Sequence, residues 1–431
     1  MKIVNIVPGF GGSFYCGNCL RDSVFTKTLR KMGHDSVLLP IYLPISSGNE
    51  NGSTDIPVFY GAVSIYLKQN YRLFRNMPPW LHRFFDSKPI LRYAAQKAGS
   101  TRATGLEDMT ISMLKGSDGL QWKELDELIN FLKHHEKPDV VHLSNALLLG
   151  LASRIKNELN IPVVCSLQDE DVWVDAMEEQ HRQYIWQLMS EKGNDVDAFV
   201  VVSNFFADLM KTKMQLPDHK LFVVPIGVDP GKYKVSQPSC NPPVIGYLSR
   251  LCEENGLEIL IDAFIELKTN AEFSNAKLKL TGGMTGDDKR FIKKQTQKLN
   301  AKGYLKDVEI VPDFGDLSLK EFLGNITVLS VPVLKGEAFG LYQLEAMASG
   351  VPVVQPALGA FPEIAEQSGG GVIYQPNTPN ELAKTFAQLF ANTAKIQELS
   401  IAGRASIVNK FNTEVLTTRM IEVYEGLTKK N

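Results

Sequence analysis

The sequence predicts an α/β protein made of two doubly wound units, each a parallel sheet covered by helices on both faces. Three observations carry that expectation. Short β-branched runs alternate with helix-period segments along the chain. Most of those runs are continuous in apolar residues, as strands buried on both faces require. One proline-rich stretch, 227–243, divides the runs into two sets and carries four of the 22 prolines without any periodicity.

The first set of strand runs falls at 2–8, 35–40, 139–145, 161–167, 198–204 and 221–227. The second falls at 243–249, 277–282, 308–312, 327–333, 351–356 and 371–375. Helical patterns lie between them at 21–32, 147–159, 256–268, 285–300, 340–349 and 379–392. These elements predict an N-terminal domain over 1–228, interrupted at 44–135, then a linker over 229–242. A C-terminal domain follows over 243–411, and a terminal helical segment over 412–431. In open α/β sheets ligands bind beyond the carboxyl ends of the strands, so two such units predict a cleft lined by those ends.

Composition narrows the function. At 431 residues, 44% hydrophobic and 22% charged, the chain has the proportions of a soluble globular protein of two domains. A net charge of −2 gives no bulk attraction to nucleic acid, so no nucleic-acid partner is expected. The five cysteines (Cys16, Cys19, Cys165, Cys240 and Cys252) are few and odd in number, which fits a reducing compartment better than a disulfide framework. The chain opens on a strand-like run, and no stretch of eighteen apolar residues occurs, so a cytoplasmic protein is expected.

Residues 327–356 are the most informative segment. A strand leads to a loop holding Glu337; a helix starts near Phe339, Gly340 and Leu341 and stops at Gly350, with Pro352 just beyond. The free N–H groups and positive dipole end of that helix suit an anionic or hydroxyl-rich ligand. Glu337 stands at the mouth, able to accept from sugar hydroxyls, and Glu345 further along the helix can bind the vicinal diol of a ribose. Elsewhere, Gly9 to Ser13, with Gly11 and Gly12 at its centre, forms a glycine turn between strand and helix that can cradle a pyrophosphate or merely turn the chain. Arg250 ends another strand run, and its planar fork suits phosphate oxygens.

The block from Glu337 through Glu345 to Glu-Ala-Met-Ala-Ser-Gly-Val-Pro-Val resembles the C-terminal signature of family 4 retaining glycosyltransferases. The resemblance extends to Gly33-His34, to 225–229, to Ser249-Arg250-Leu251, to Gly282-Gly283 and to 362–364 after Gly359. It implies the GT-B fold, two Rossmann-like domains facing each other across a cleft, with the last helix (413–428) crossing back onto the first domain. It implies Glu337 and Arg250 as catalytic residues. It implies donor-binding roles for Gly11, Gly12, Asn255, Gly283, Phe314, Ala338, Phe339, Gly340, Leu341 and Glu345. No cofactor is implied beyond a UDP- or GDP-sugar as co-substrate, and transfer is expected to be front-face, retaining and free of any metal. Asn255 departs from the family pattern, which has a lysine there. Asparagine donates hydrogen bonds but brings no charge to the leaving diphosphate, and Lys335 stands as a partial substitute or an exposed lysine.

The acceptor side of the resemblance is altered as well. The histidines that family members carry after the strands at 139–143 and 161–167 are replaced by Ser144 and Gln168. His142 sits at the alternate strand position and is expected to pack rather than catalyse. Asp169, Glu170 and Asp171 form an acid cluster open to two readings, acceptor binding by Asp169 and its neighbours, or a solvated loop. Cys16 and Cys19 read as plain thiols of the cleft wall rather than a redox or zinc site, because no second cysteine pair exists. The stretch 66–102 carries eight Lys/Arg against the single acid Asp86, with Tyr71, Phe74, Trp80, Phe84, Phe85 and Tyr93 interleaved. It reads first as a helical lid, and compatibly with that as a surface for acceptor recognition or peripheral contact with the inner membrane face. The acceptor itself, a glycan, a lipid or a small molecule, is not legible. A non-catalytic nucleotide-sugar or glycan-binding protein on the same scaffold is the rival reading, and the altered positions 144, 168 and 255 are its support.

Overall fold

The computed structural model describes residues 1–8, 17–42 and 105–429. The glycine turn with Gly11 and Gly12, Cys16, and the basic aromatic stretch 66–102 lie outside the described residues. The rest forms two compact units. The first is built around Asn18–Val224 with the N-terminal strand and with the chain from Thr417 onward, and the second is Pro225–Leu416.

The first unit holds a six-stranded parallel sheet of β1 (Lys2–Val7), β2 (Asp35–Pro40), β3 (Val140–Leu143), β4 (Val163–Leu167), β5 (Ala198–Val201) and β6 (Leu221–Val223). Its spatial order is β2-β1-β3-β4-β5-β6. The middle strands are apolar on both faces: Ile3, Val4, Val140, Val141, Val163 and Val164 are all fully buried, which is the condition parallel strands meet only under helices. The helix Gly17–Lys31 follows β1 and carries Arg30 and Lys31 in its last turn, favourable against the negative end of the helix dipole. The helix Asn204–Met214 follows β5 and is capped by Ser203, whose hydroxyl accepts from the Phe206 N–H at 3.1 Å. Part of the interruption at 44–135 is itself helical, at Glu107–Leu114 and Trp122–Phe131.

The second unit repeats the plan with β7 (Val244–Leu248), β8 (Lys277–Thr281), β9 (Val308–Ile310), β10 (Val328–Leu329), β11 (Val353–Pro356) and β12 (Gly371–Tyr374). Its order is β12-β11-β10-β7-β8-β9, again all parallel. The strand expected over 327–333 is only two residues long here. Its continuation leaves the sheet because Pro332 has no N–H to give and the Val331 N–H is taken by the Gln355 side chain at 3.1 Å. The last helix, Thr413–Thr428, belongs to the first unit from Thr417 onward. There Tyr424 is fully buried.

These strand orders place the site. In each sheet the order reverses once, between β1 and β3 in the first and between β7 and β10 in the second. A crevice opens at such a reversal because the connections on either side leave in opposite directions. Arg250 follows β7, Glu337 follows β10, and Ser144 follows β3.

Candidate active site

In the second unit three loops meet beyond the sheet edge. The β7 loop reaches the β8 loop through the Leu251 N–H, which donates to the Gly283 carbonyl at 2.9 Å. It reaches the β10 loop where the Leu334 N–H donates to the Glu254 carbonyl at 3.2 Å. Gly256 is required for that approach: its φ is +73°, and a Cβ on it would lie 1.7 Å from the Pro332 carbonyl oxygen. The fully buried Tyr247 supports the same loop from below, donating its hydroxyl to the Arg250 carbonyl at 2.9 Å.

Arg250 is held by a partner the sequence did not announce. Its Nε and Nη2 donate to the two oxygens of Asp288 at 2.8 and 2.7 Å, and Nη2 also donates to Thr285 Oγ1 at 3.1 Å. The fork raises the arginine further above its ordinary range, chiefly through the hydrogen bonds to Asp288. Burial alone would push the Asp288 carboxyl up. The guanidinium, with the Thr285 N–H and hydroxyl, outweighs burial and brings it below the usual carboxylate range. Asn255 is turned inward to the loop: its Nδ2 donates to Ser249 Oγ at 2.8 Å and lies 3.4 Å from the Arg250 carbonyl.

Glu337 is half-buried in the β10 loop. Its backbone is pinned by the Ala360 N–H, which donates to the Glu337 carbonyl at 3.1 Å, and its Oε2 accepts from the Tyr342 hydroxyl at 3.0 Å. The helix beyond it, Leu341–Ala348, is buried along its whole length. Ala338, Phe339 and Leu341 are buried at its entry, and Phe339 packs edge-on against Phe411 with ring centroids 6.2 Å apart. Gly340, at φ +86°, forms the turn into the helix. Glu345, on that helix, is buried to 4% exposure and accepts from the Tyr233 hydroxyl through Oε1 at 2.9 Å. Phe314 lies half-buried in the loop after β9, and Lys335 is exposed. The second unit thus gathers Arg250, Asn255 and Gly283 in its stitched loops, and Glu337 and Glu345 around one helix.

In the first unit, Ser144 and Gln168 follow adjacent strands and are buried. Gln168 Nε2 donates to the Ser144 carbonyl at 2.8 Å, while Gln168 Oε1 and Ser144 Oγ have no hydrogen-bond partner among the described residues. Asp169 adopts a left-handed backbone at φ +58° and is half-buried. Glu170 is not part of a solvated loop. It is 1% exposed, and its two oxygens accept from the Ala146 N–H at 2.9 Å and the Gln168 N–H at 2.6 Å. It therefore clips the β3 loop to the β4 loop. Burial raises its carboxyl to about 8 against the pull of those N–H groups. Burial also raises Asp171, to about 6, with the neighbouring Asp169 charge adding to it. Among the described residues no group of His, Cys, Asp and Glu is arranged to hold a metal ion.

His142 is a packing histidine. Nδ1 lies 2.5 Å from the Tyr424 hydroxyl, Nε2 lies 2.8 Å from Ser166 Oγ, and Phe25 and Tyr424 meet the ring edge-on. Burial, helped by the Arg21 charge, lowers its pKa to about 3, so the ring is neutral at physiological pH.

Sequence reasoning missed the residues that hold the site residues. Asp288 stands 38 positions from Arg250 with no periodic relation to it. Tyr233 lies in the segment read only as a linker, and Tyr342 sits in an apolar helix where an aromatic reads as core. The one available signal was the pairing rule itself: a buried carboxylate needs a donor, so Glu345 had to have one.

Two family models match in succession. "Glycosyltransferase Family 4" covers residues 113–232 and "Glycosyl transferases group 1" covers 232–406. Among characterised relatives, the MMP alpha-(1->4)-mannosyltransferase of Mycolicibacterium hassiacum is 25% identical over 300 residues, 67% of this chain and 70% of the relative. The phosphatidyl-myo-inositol mannosyltransferase of Mycobacterium leprae is 25% identical over 180 residues, 42% of this chain and 45% of the relative. Two solved structures share the fold. A sucrose-phosphate synthase from Thermosynechococcus elongatus has a TM-score of 0.71 at 15% identity, with both chains covered in full. Anabaena HepE in complex with UDP has a TM-score of 0.68 at 16% identity, covering 99% of this chain and 100% of that one. The two models together run unbroken over 113–406, more than half of the chain, on a fold that solved GT-B proteins share, and the chain belongs to the family 4 glycosyltransferases.

Proposed function

We propose that the protein transfers a sugar from a nucleoside diphosphate sugar to a hydroxyl acceptor with retention at the anomeric carbon and without a metal. The observation that carries this reading is the placement of Arg250 and Glu337 in the loops after the two strands that flank the order reversal of the second sheet. Charged ligands of open α/β sheets bind there. In the reading, the bond between the anomeric carbon and the diphosphate oxygen breaks as the acceptor oxygen bonds to the same face of that carbon. The acceptor proton passes to the departing phosphate oxygen. Arg250 stabilises charge developing on that leaving group, Glu337 holds hydroxyls of the transferred sugar, and Glu345 takes the ribose diol. Gly283, Phe314 and the entry of the Leu341–Ala348 helix line the donor, and Ser144, Gln168 and Asp169 meet the acceptor. A nucleotide sugar as donor is supported by the structural neighbour HepE, solved with UDP, and the reading takes UDP or GDP as its nucleotide.

The test is a thermal-shift and hydrolysis screen against UDP-, GDP- and ADP-sugars, followed by Arg250→Ala and Glu337→Ala. Stabilisation by one nucleotide class, with slow hydrolysis that both substitutions abolish, is the expected result. Stabilisation by none sinks the reading. Binding without any hydrolysis or transfer supports the second reading, a nucleotide-sugar-binding protein. That reading rests on Asn255, whose amide is spent on Ser249 where the family pattern places a lysine.

A further inference from the structure

Tyr233 belongs to a strap, residues 229–236, that runs against the C-terminal part of the helix carrying Glu345. The strap is fastened on both sides of Tyr233. Before it, the Asp229 carboxylate accepts from the Gly231 N–H at 2.9 Å, and Arg404 Nη2 donates to the Pro230 carbonyl at 3.0 Å. The same arginine donates through Nη1 to the Ala348 carbonyl at the helix end. After it, the Ser236 N–H and hydroxyl both donate to the Ser349 carbonyl, at 2.9 and 3.0 Å. The backbone on either side therefore fixes where the Tyr233 ring points, and its hydroxyl meets Glu345 Oε1 at 2.9 Å.

A carboxylate buried to 4% exposure is costly unless a donor satisfies it, and its plane is free to turn about χ3 unless something holds it. The Tyr233 phenol O–H contributes to both. A carboxylate offers about four lone-pair sites, so a donor held at Oε1 constrains its plane without by itself exhausting its acceptor sites. We infer that Tyr233 is a positioning residue for donor binding, orienting the Glu345 carboxylate toward the ribose diol of the nucleotide. The inference rests on the donor reading given above and adds to it a residue outside the family signature. It also assigns a ligand-binding purpose to the strap.

The experiment compares UDP with 2′-deoxy-UDP, and GDP with 2′-deoxy-GDP, by titration calorimetry on the full chain as wild type, Tyr233→Phe, Glu345→Ala and the double variant. The Phe variant removes one oxygen from a half-buried ring, and its melting temperature is checked against wild type. Expected is a loss of about tenfold in affinity for the ribonucleotide in Tyr233→Phe, the scale of one hydrogen bond to a charged group. The deoxynucleotide, weaker on wild type, loses little further, and the substitution adds nothing in the Glu345→Ala background. Equal loss for the ribo and deoxy forms, or unchanged ribonucleotide affinity in Tyr233→Phe, overturns the role of Tyr233 and leaves the donor site standing. Wild type binding neither nucleotide overturns both. Should Tyr233→Phe melt far below wild type, the ribo-to-deoxy affinity ratio of Tyr233→Leu, which likewise has no donor, takes its place. An unchanged ratio there overturns the role as well.

Discussion

Arg250 and Asp288 form a two-pronged ion pair, Nε to Oδ2 at 2.8 Å and Nη2 to Oδ1 at 2.7 Å, that fixes the guanidinium at the end of β7. Through the pair Arg250 holds the β8 loop, and in the proposed function it has a second duty, meeting the leaving diphosphate. Arg250→Ala should lower donor turnover by about 100-fold or more, the usual scale for removing one preorganised charge-stabilising donor. It should also lower the melting temperature, because Asp288 is left buried without its counter-charge, held only by Thr285. Arg250→Lys keeps the charge and loses the fork, so it should recover stability better than turnover. Steady-state hydrolysis and thermal melts of the two variants check this.

Asp288→Asn separates those duties. It leaves the arginine and its charge and removes the carboxylate that orients it. The expected outcome is a higher KM for the nucleotide sugar, with kcat less affected than in Arg250→Ala. Equal losses in both variants would show that Arg250 acts only through the fold.

Gly340→Ala should be damaging out of proportion to its size. The backbone there is at φ +86°, and a Cβ would lie 2.9 Å from Gln343 Nε2 and 3.1 Å from Glu337 Oε2. The left-handed backbone costs about 1–2 kcal/mol for a non-glycine residue, and the crowding displaces the Glu337 carboxylate, which in the proposed function holds the sugar. Loss of both melting temperature and transfer is expected, measured against Gly324→Ala, whose Cβ meets nothing within 4 Å.

Two buried groups set opposing pH dependences of stability. His142 titrates near 3 in the folded protein and at 6.5 when unfolded, so the folded state binds fewer protons between those values. Its contribution is present above pH 6.5 and is lost as pH falls toward 3. Glu170 titrates near 8 when folded and at 4.5 when unfolded, so the folded state binds more protons in between. Stability therefore falls as pH rises from 4.5 to 8, by up to about 1.4 kcal/mol per pH unit. Asp171, raised to about 6, adds in the same sense below that pH, and the facing groups Asp169 and Cys165 set the local field. Relative to wild type, Glu170→Gln should gain stability as pH rises toward 8, and His142→Phe should resist acid better. Denaturant melts at pH 4, 5.5, 7 and 8.5 on the three proteins decide it.

Much of this was legible in the sequence for a physical reason. Strands such as Val140–Leu143 and Val163–Leu167 are continuous apolar runs because parallel sheets bury both faces, and the alternation with helices follows from the crossover each parallel pair needs. Glu337 and Glu345 were visible because they sit in a local motif on one loop and one helix. Their holders were not. Tyr342, Tyr233 and Asp288 reach their partners through the tertiary fold, and nothing in their neighbourhoods marks them. Glu170 was misjudged as equally well a solvated charge, because an acid beside two other acids reads as surface. Its burial comes from the Ala146 and Gln168 N–H groups that converge on it.

The turned-in amide of Asn255 bears on how this loop could be re-engineered. Asn255→Lys would bring a second cation to the pyrophosphate side, yet it would also unhook Ser249 Oγ, the bond now made at 2.8 Å. Charge and loop closure compete for one position. A variant that gains the first keeps the second only if another donor reaches Ser249 Oγ.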